Sequence, residues 1–511
     1  MQQKNATFLR RPLPHGFALA RTDVPSYVAG MSKDASPKAS RPLPSRRRVI
    51  AQGAGLATML SPLYALAQQA ASSPQPAAAG TARDLAAAPA KVRLRPAPAP
   101  ESEIWAFDGA APGPVLKVKQ GETLRLNLQN RTDKPLSLHW HGLRGDHAMD
   151  GVGGFSQEPV PPGGQFEYRL TPPDSGSFLY RPMLIGGSSE PAGRGLSGLL
   201  IVEEKEPPAV DLDLPALIGD WLLGDDQKLL PFAADGQDGA AAGRLGSWLT
   251  VNGKPPPLQV KLPPGSRVRL RLANACNARI MRLRFDEMKA FVAAVDGQPT
   301  ETFEPVRGQL PFAPGTRYDV IFDMPETAGA AASVTALIGP GVPLVRFVSE
   351  GAAKQARPAI AGMPLNPALP AAVRLQDARR SEMIIEGGAK ITPENKLDLA
   401  GLDLSKPWTV NGGQGDPKGK PLFSVKRGSP VVIGITNKTA FLQPFHVHGH
   451  SFRLLHPLDD GWEPYFLDTV QIPEGKRLHI AFIADNPGRW LISSTVLERF
   501  DRGLWSWFEV T

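Results

Sequence analysis

The chain has 511 residues, enough for more than one domain, with 42% hydrophobic and 21% charged residues, ordinary for a globular protein. Its formal charge of +8 is confined to the start: residues 1–67 carry ten Lys/Arg and two Asp/Glu, leaving 57 − 10 = 47 cations against 49 − 2 = 47 anions elsewhere, so no nucleic-acid partner is expected. The single cysteine, Cys276, excludes an intrachain disulfide and any Cys-x-x-Cys metal site, and reads as a buried inert thiol.

The first element is a leader. Ser45-Arg46-Arg47-Arg48-Val49-Ile50 is a twin-arginine pattern, a weakly apolar stretch runs to Leu66, and Ala65-Leu66-Ala67 forms an A-x-A cleavage site. Residues 1–67 therefore read as a twin-arginine signal peptide, and the mature chain is expected in the periplasm. Translation from Met31 would give a leader of more usual length; the N-terminus of the native precursor decides between the two starts. The Ala/Pro-rich residues 68–100 read as a linker. No other stretch is apolar enough for a transmembrane segment.

Three copies of one unit follow. Trp105 to Asn130 holds Asp108-Gly109, then Leu116-Lys117-Val118, Gly121 and alternating Leu124, Leu126 and Leu128. Leu249 to Asn274 repeats this with Asn252-Gly253, Leu258-Gln259-Val260, Gly265 and Val268, Leu270 and Leu272. Trp408 to Asn437 does so again with Asn411-Gly412, Phe423-Ser424-Val425, Gly428 and Val431, Ile433 and Ile435. Period-two alternation with turn signals predicts strands. The spacings from Asn130 to Asn274 to Asn437, 144 and 163 residues, are those of a domain repeat. A second motif also recurs: Pro162-Gly163 before Phe166, Tyr168 and Leu170; Pro314-Gly315 before Tyr318, Val320 and Phe322; Glu474-Gly475 before Leu478, Ile480 and Phe482. The expected fold is all-β, three consecutive Greek-key β-sandwiches at residues 101–204, 205–350 and 351–511.

The histidines fall in register with these copies. His139 and His141 lie nine and eleven residues after Asn130, and His446 and His448 lie nine and eleven after Asn437. The middle copy has Leu283 and Phe285 there. Residues i and i+2 share a strand face, so each pair aims two imidazoles at one spot, where copper or zinc suits them.

Leu138-His139-Trp140-His141-Gly142, Pro444-Phe445-His446-Val447-His448-Gly449-His450 and Asp485-Asn486-Pro487-Gly488-x-Trp490 resemble motifs of the multicopper oxidases. The resemblance runs from about Glu103 to Thr511 and implies three cupredoxin domains. It also implies a type 1 copper in the third domain and a trinuclear copper cluster between the first and third. His139 and His446 would be type 2 ligands, and His141 and His448 type 3 ligands. Asp150 stands where the family keeps an acid near the cluster and is expected to pair with Arg181.

The departures from the family bear on function. Its final His-Cys-His reads here Ser493-Ser494-Thr495, the following type 1 histidine is Arg499, and the other type 1 histidine is Gln443. Leu504, at the axial position, stays within the family's range. In the first domain the second His-x-His is Arg181-Pro182-Met183. A blue copper site needs a thiolate and two imidazoles, and Arg499 is a cation with no lone pair to give. Arg181 opposes a divalent metal, while Met183, a soft thioether suited to Cu(I), reads first as a core filler. His147, His450, His456 and His479 show no partner pattern.

Two functions stay open. One is a periplasmic non-oxidase of the cell envelope or division apparatus that binds a protein partner, similar to the family's copper-less relative in bacterial division. The other is a mononuclear copper-binding protein, or a type 2-like oxidoreductase, holding at most one copper per chain at His139, His141, His446 and His448. An oxidase that borrows ligands from another chain is opposed by Arg181 and Arg499.

Overall fold

A computed structural model describes residues 82–232, 236–370, 372–455 and 461–511. The twin-arginine leader and His456 lie outside the described residues. Three two-sheet β-sandwiches follow one another: sheets of four and four strands, then six and five, then five and five with a small added hairpin. Each has its own apolar interior, filled from the alternating positions: Leu126 and Leu128 in the first, Leu270 and Leu272 in the second, Ile433 and Ile435 in the third. Each such side chain taken from water contributes about 1.5–3 kcal/mol. Among the described residues no helix is long and apolar enough to cross a membrane.

Two polar devices explain why the copies fold alike. The Asp108-Gly109, Asn252-Gly253 and Asn411-Gly412 turns all place both residues at positive φ, 50/76°, 51/73° and 52/77°, the geometry of a tight hairpin turn. Their side-chain oxygens accept from the backbone of a neighbouring strand, at Ala86 (2.9 Å), Leu217 (2.8 Å) and Ile384 (2.8 Å). The strand-ending asparagines form the second device. Asn130 Nδ2 donates to the carbonyls of Lys134 and Val160, Asn274 Nδ2 to those of Arg279 and Phe312, and Asn437 Nδ2 to those of Phe441 and Ile472. Each Oδ1 accepts the N–H two residues on, at Thr132, Cys276 and Thr439.

The sequence expectation needs one correction. Arg83–Val92, inside the stretch taken for a linker, is a strand that pairs in parallel with Leu124–Asn130 and antiparallel with Ser102–Phe107. Leu212–Trp221 and Arg379–Gly387 make the equivalent parallel pairings with Arg267–Asn274 and Ser429–Asn437. Ala and Pro contribute little packing, but Leu85 and Ala87 are fully buried and the backbone ladder supplies the rest. Cys276 is buried and unpaired, with its thiol pushed well above its usual value by burial.

Candidate metal centre

The strand Leu138–His141 and the strand Gln443–Val447 each pair with the strand that follows the recurring glycine. His139 lies opposite Arg181 on Gly176–Pro182, and His446 lies opposite Ser493 on Gly488–Ser494. The first and third sandwiches meet along these strands, so all four histidines converge. His141 stacks on His446 with ring centroids 3.8 Å apart, and His139 lies 4.4 Å from His448. None of the four is more than 2% exposed. Donor atoms of His139, His446 and His448 lie within 4.8 Å of one another, as do those of His141, His446 and Asp468.

Hydrogen bonds fix the tautomers of two rings. His139 Nδ1 is 2.8 Å from the Asp150 carbonyl and His446 Nδ1 is 2.9 Å from the Asp468 carbonyl. A carbonyl only accepts, so both Nδ1 atoms carry a proton, and the neutral form of each ring presents its lone pair at Nε2. Both Nε2 atoms are buried and have no partner. An unsatisfied lone pair of this kind is what a metal ion completes, with the N–H held by a carbonyl orienting the ring. His448 Nδ1 donates to Asp150 Oδ2 at 3.0 Å, and its Nε2 faces the Ser493 hydroxyl at 3.0 Å. His141 Nε2 is held by Thr469 Oγ1 at 2.9 Å, and that hydroxyl in turn donates to Asp468 at 2.8 Å. Three imidazoles fit one ion.

The charges agree with that reading. Burial pushes His448 down to about 3 and pushes His141 and His446 below their ordinary values, so these rings are neutral at neutral pH. Burial alone would raise the Asp150 carboxyl, but the His448 and His139 rings hold it well below the usual carboxylate range. Asp468 is likewise held down against burial by Arg317 and His446.

The middle sandwich reaches into the centre through Arg317, which is fully buried. Its guanidinium donates to the carbonyls of Ser177 (2.9 Å), Gly315 (2.7 Å) and Asp296 (2.9 Å) and forms a two-point ion pair with Asp468. Asp296 completes the corner by accepting from the backbone N–H groups of Asp468 and Thr469. Gly315, at φ +87°, has to be glycine: a Cβ would sit 2.6 Å from the His141 ring.

The replaced positions are also placed. Arg499 is buried; its Nε donates to Ala241 O (2.9 Å) and its Nη1 to Leu442 O (2.9 Å) and Gln443 Oε1 (2.8 Å). The guanidinium lies over the rings of Trp408 and Phe441, at 5.4 and 5.1 Å, and burial brings it down to about 9, still charged at neutral pH. Ser494 Oγ turns to the Val496 carbonyl at 3.4 Å, and Thr495 Oγ1 is buried without a partner. Met183 packs among Val152, Leu491, Phe500 and Trp505, as a core filler does.

Arg181 does not pair with Asp150. Its Nη2 reaches only the Thr495 carbonyl, at 3.4 Å, because the Asp150 carboxylate is committed to His448 and His139. Among the other histidines, His450 Nδ1 bonds the His448 carbonyl at 3.1 Å, and His147 packs edge-on to Trp490. Sequence reasoning missed Asp468, Thr469 and Arg317. Asp150 follows its histidine by 11 residues and Asp468 follows its own by 22, so register does not link them.

Glu498 carries a separate expectation. Its Oε1 accepts from Asn277 at 2.8 Å, its Oε2 is buried without a partner, and burial pushes its carboxyl from 4.5 up to about 7. The folded chain therefore keeps a proton that the unfolded chain releases. The associated stability is full below pH 4.5 and is lost as pH rises through about 7. Glu498→Gln is expected to remove this loss, gaining on the order of 3 kcal/mol over wild type by neutral pH. Unfolding midpoints of both proteins across that range test this; a difference that does not grow with pH refutes it.

Models of the multicopper oxidase family match residues 90–207, 213–333 and 390–511. The crystal structure of a multi-copper oxidase from Pseudomonas thermotolerans is 30% identical, superposes with a TM-score of 0.74, and is matched over 84% of this chain and 99% of its own. The chain belongs to the multicopper oxidase family, whose cofactor is copper, and has its three cupredoxin domains. Multicopper oxidase MmcO of Mycobacterium tuberculosis is 26% identical over 417 residues, 76% of this chain and 79% of that protein. Laccase-1 of Cryptococcus neoformans is 31% identical over 251 residues, and the match spans 39% of that laccase.

Proposed function

We propose that this chain is a periplasmic copper-binding protein on the multicopper oxidase scaffold, without type 1 copper or oxidase activity, that holds one copper ion between its first and third domains. The observation that carries the reading is the pair of buried, unpartnered Nε2 lone pairs on His139 and His446, with His448 beside them. A bound copper ion would supply a one-electron centre there. The chain's part is to fix the rings through the Asp150 and Asp468 carbonyls and exclude water.

The absence of electron entry is supported by the residues at the family's other ligand positions. Gln443, Ser494 and Arg499 offer no thiolate and no imidazole, and the Arg499 guanidinium is bonded to Gln443. Arg181, Met183, Ser493 and Thr495 likewise stand where the resemblance places imidazoles of the trinuclear cluster. One ion per chain is the most these ligands support.

Reconstitution with excess copper tests the reading. Wild type is expected to retain at most one copper per chain, to show no intense blue band and to consume no dioxygen with phenols or Cu(I). His139→Ala/His446→Ala is expected to retain none. Equal copper in both proteins overturns the metal centre and leaves the partner-binding reading, with a cell-envelope protein as partner. Dioxygen consumption overturns the non-oxidase assignment. Export is tested by fractionation and by a native N-terminus following Ala67.

A further inference from the structure

Arg181 is the residue of the centre whose chemistry the metal reading leaves unexplained. It leaves the strand Gly176–Pro182 directly opposite His139, so both side chains point from the same sheet face toward the third domain. It is 1% exposed. One nitrogen reaches the Thr495 carbonyl at 3.4 Å, a long contact, while Nε and Nη1 are enclosed with no partner. Thr495 Oγ1, beside that carbonyl, is also enclosed and unpartnered. A buried guanidinium with two idle donors is a costly arrangement unless an anion accompanies it.

The nearby carboxylates do not serve. Asp150 is bonded to His448 and lies against His139; Asp468 is bonded to Arg317 and Thr469. Glu498 accepts from Asn277 at Oε1, leaves Oε2 unbonded and acts on Arg181 only through space; among the described residues no carboxylate forms an ion pair or hydrogen bond with Arg181. Burial weighs most against the Arg181 charge; the Glu498 carboxyl opposes that effect and the Arg317 guanidinium adds to it.

We propose that Arg181, with the Thr495 hydroxyl, forms a binding site for a small inorganic anion beside the histidine centre. The anion accepts from Arg181 Nε and Nη1 and from Thr495 Oγ1. It neutralises a charge that would otherwise repel a divalent ion at His139. The site is a property of the protein without metal and does not depend on the copper reading.

Azide is the probe, because its infrared stretch reports its surroundings. The isolated chain, dialysed against EDTA and held at constant ionic strength with gluconate, is titrated with azide. Saturable binding with a shifted stretch is expected in wild type and in His139→Ala/His446→Ala. Arg181→Met, which keeps side-chain bulk and removes the buried charge, is expected to weaken binding at least tenfold. Azide should raise the thermal midpoint of wild type and leave that of Arg181→Met unchanged. No saturable binding in the metal-free chain overturns the proposal, as does equal binding by Arg181→Met. Binding seen only after copper loading overturns it too, while leaving the copper centre standing.

Discussion

The triple variant Gln443→His/Ser494→Cys/Arg499→His is expected to take up a copper ion with the intense blue absorption of a thiolate-bound centre, while the parent shows none. The ends of Gln443 and Arg499 already meet at 2.8 Å, and all of Gln443, Ser494 and Leu504 are fully buried. The Ser494 N–H is bonded to the Leu504 carbonyl at 3.0 Å, which brings the backbone of position 494 beside that of the apolar axial residue. A thiolate and two imidazoles over a weak axial position is the donor set that blue copper requires. Removing Arg499 leaves the Ala241 and Leu442 carbonyls without its N–H groups, at about 1–3 kcal/mol for each buried group left unsatisfied. The metal-free variant should therefore unfold earlier than the parent and recover on adding copper, by mass action on the folded form. A variant that folds, binds copper and remains colourless would show that the family's frame is not kept at these positions.

Arg317→Met should be the most damaging single substitution at the centre. It leaves the buried Asp468 carboxylate without its cation and strips donors from three carbonyls contributed by two domains. Breaking a buried ion pair from one side costs about 3–5 kcal/mol. The shift in the chemical unfolding midpoint measures it. The effect should also reach the metal, because the Asp468 backbone orients His446 and its carboxylate holds the Thr469 hydroxyl that restrains His141. Weaker copper retention together with lost stability is the expected signature; unchanged retention would separate Arg317 from the centre.

The parts of this molecule that repeat were legible before any coordinates. Asn130, Asn274 and Asn437 mark the end of an alternating strand in each copy, and counting from them puts both His-x-His pairs in one register. That works because each asparagine clamp includes local bonds, joining residues two to five apart, and these leave a trace in spacing. Contacts between copies leave no such trace. Arg317 meets Asp468 across 151 residues and His448 meets Asp150 across 298. The pairing expected for Asp150 and Arg181 was drawn from charge alone; the acid is instead taken by His139 of its own domain and by His448 from across the interface. Arg83–Val92 was missed for a different reason: composition gave it no apolar alternation, and its strand character comes from the ladder it joins.

The asparagine clamps have a consequence for how such a chain can change over time. They hold the approach to each such strand with backbone and amide groups and the hydroxyls of Thr132 and Thr439, none of them at a histidine position, so the geometry of the address does not depend on the histidines written there. The middle copy carries Leu283 and Phe285 at the address that carries histidines in the other two, on a strand of the same construction. Erasing a ligand in such a molecule removes chemistry without removing the place, and the place remains open to being rewritten.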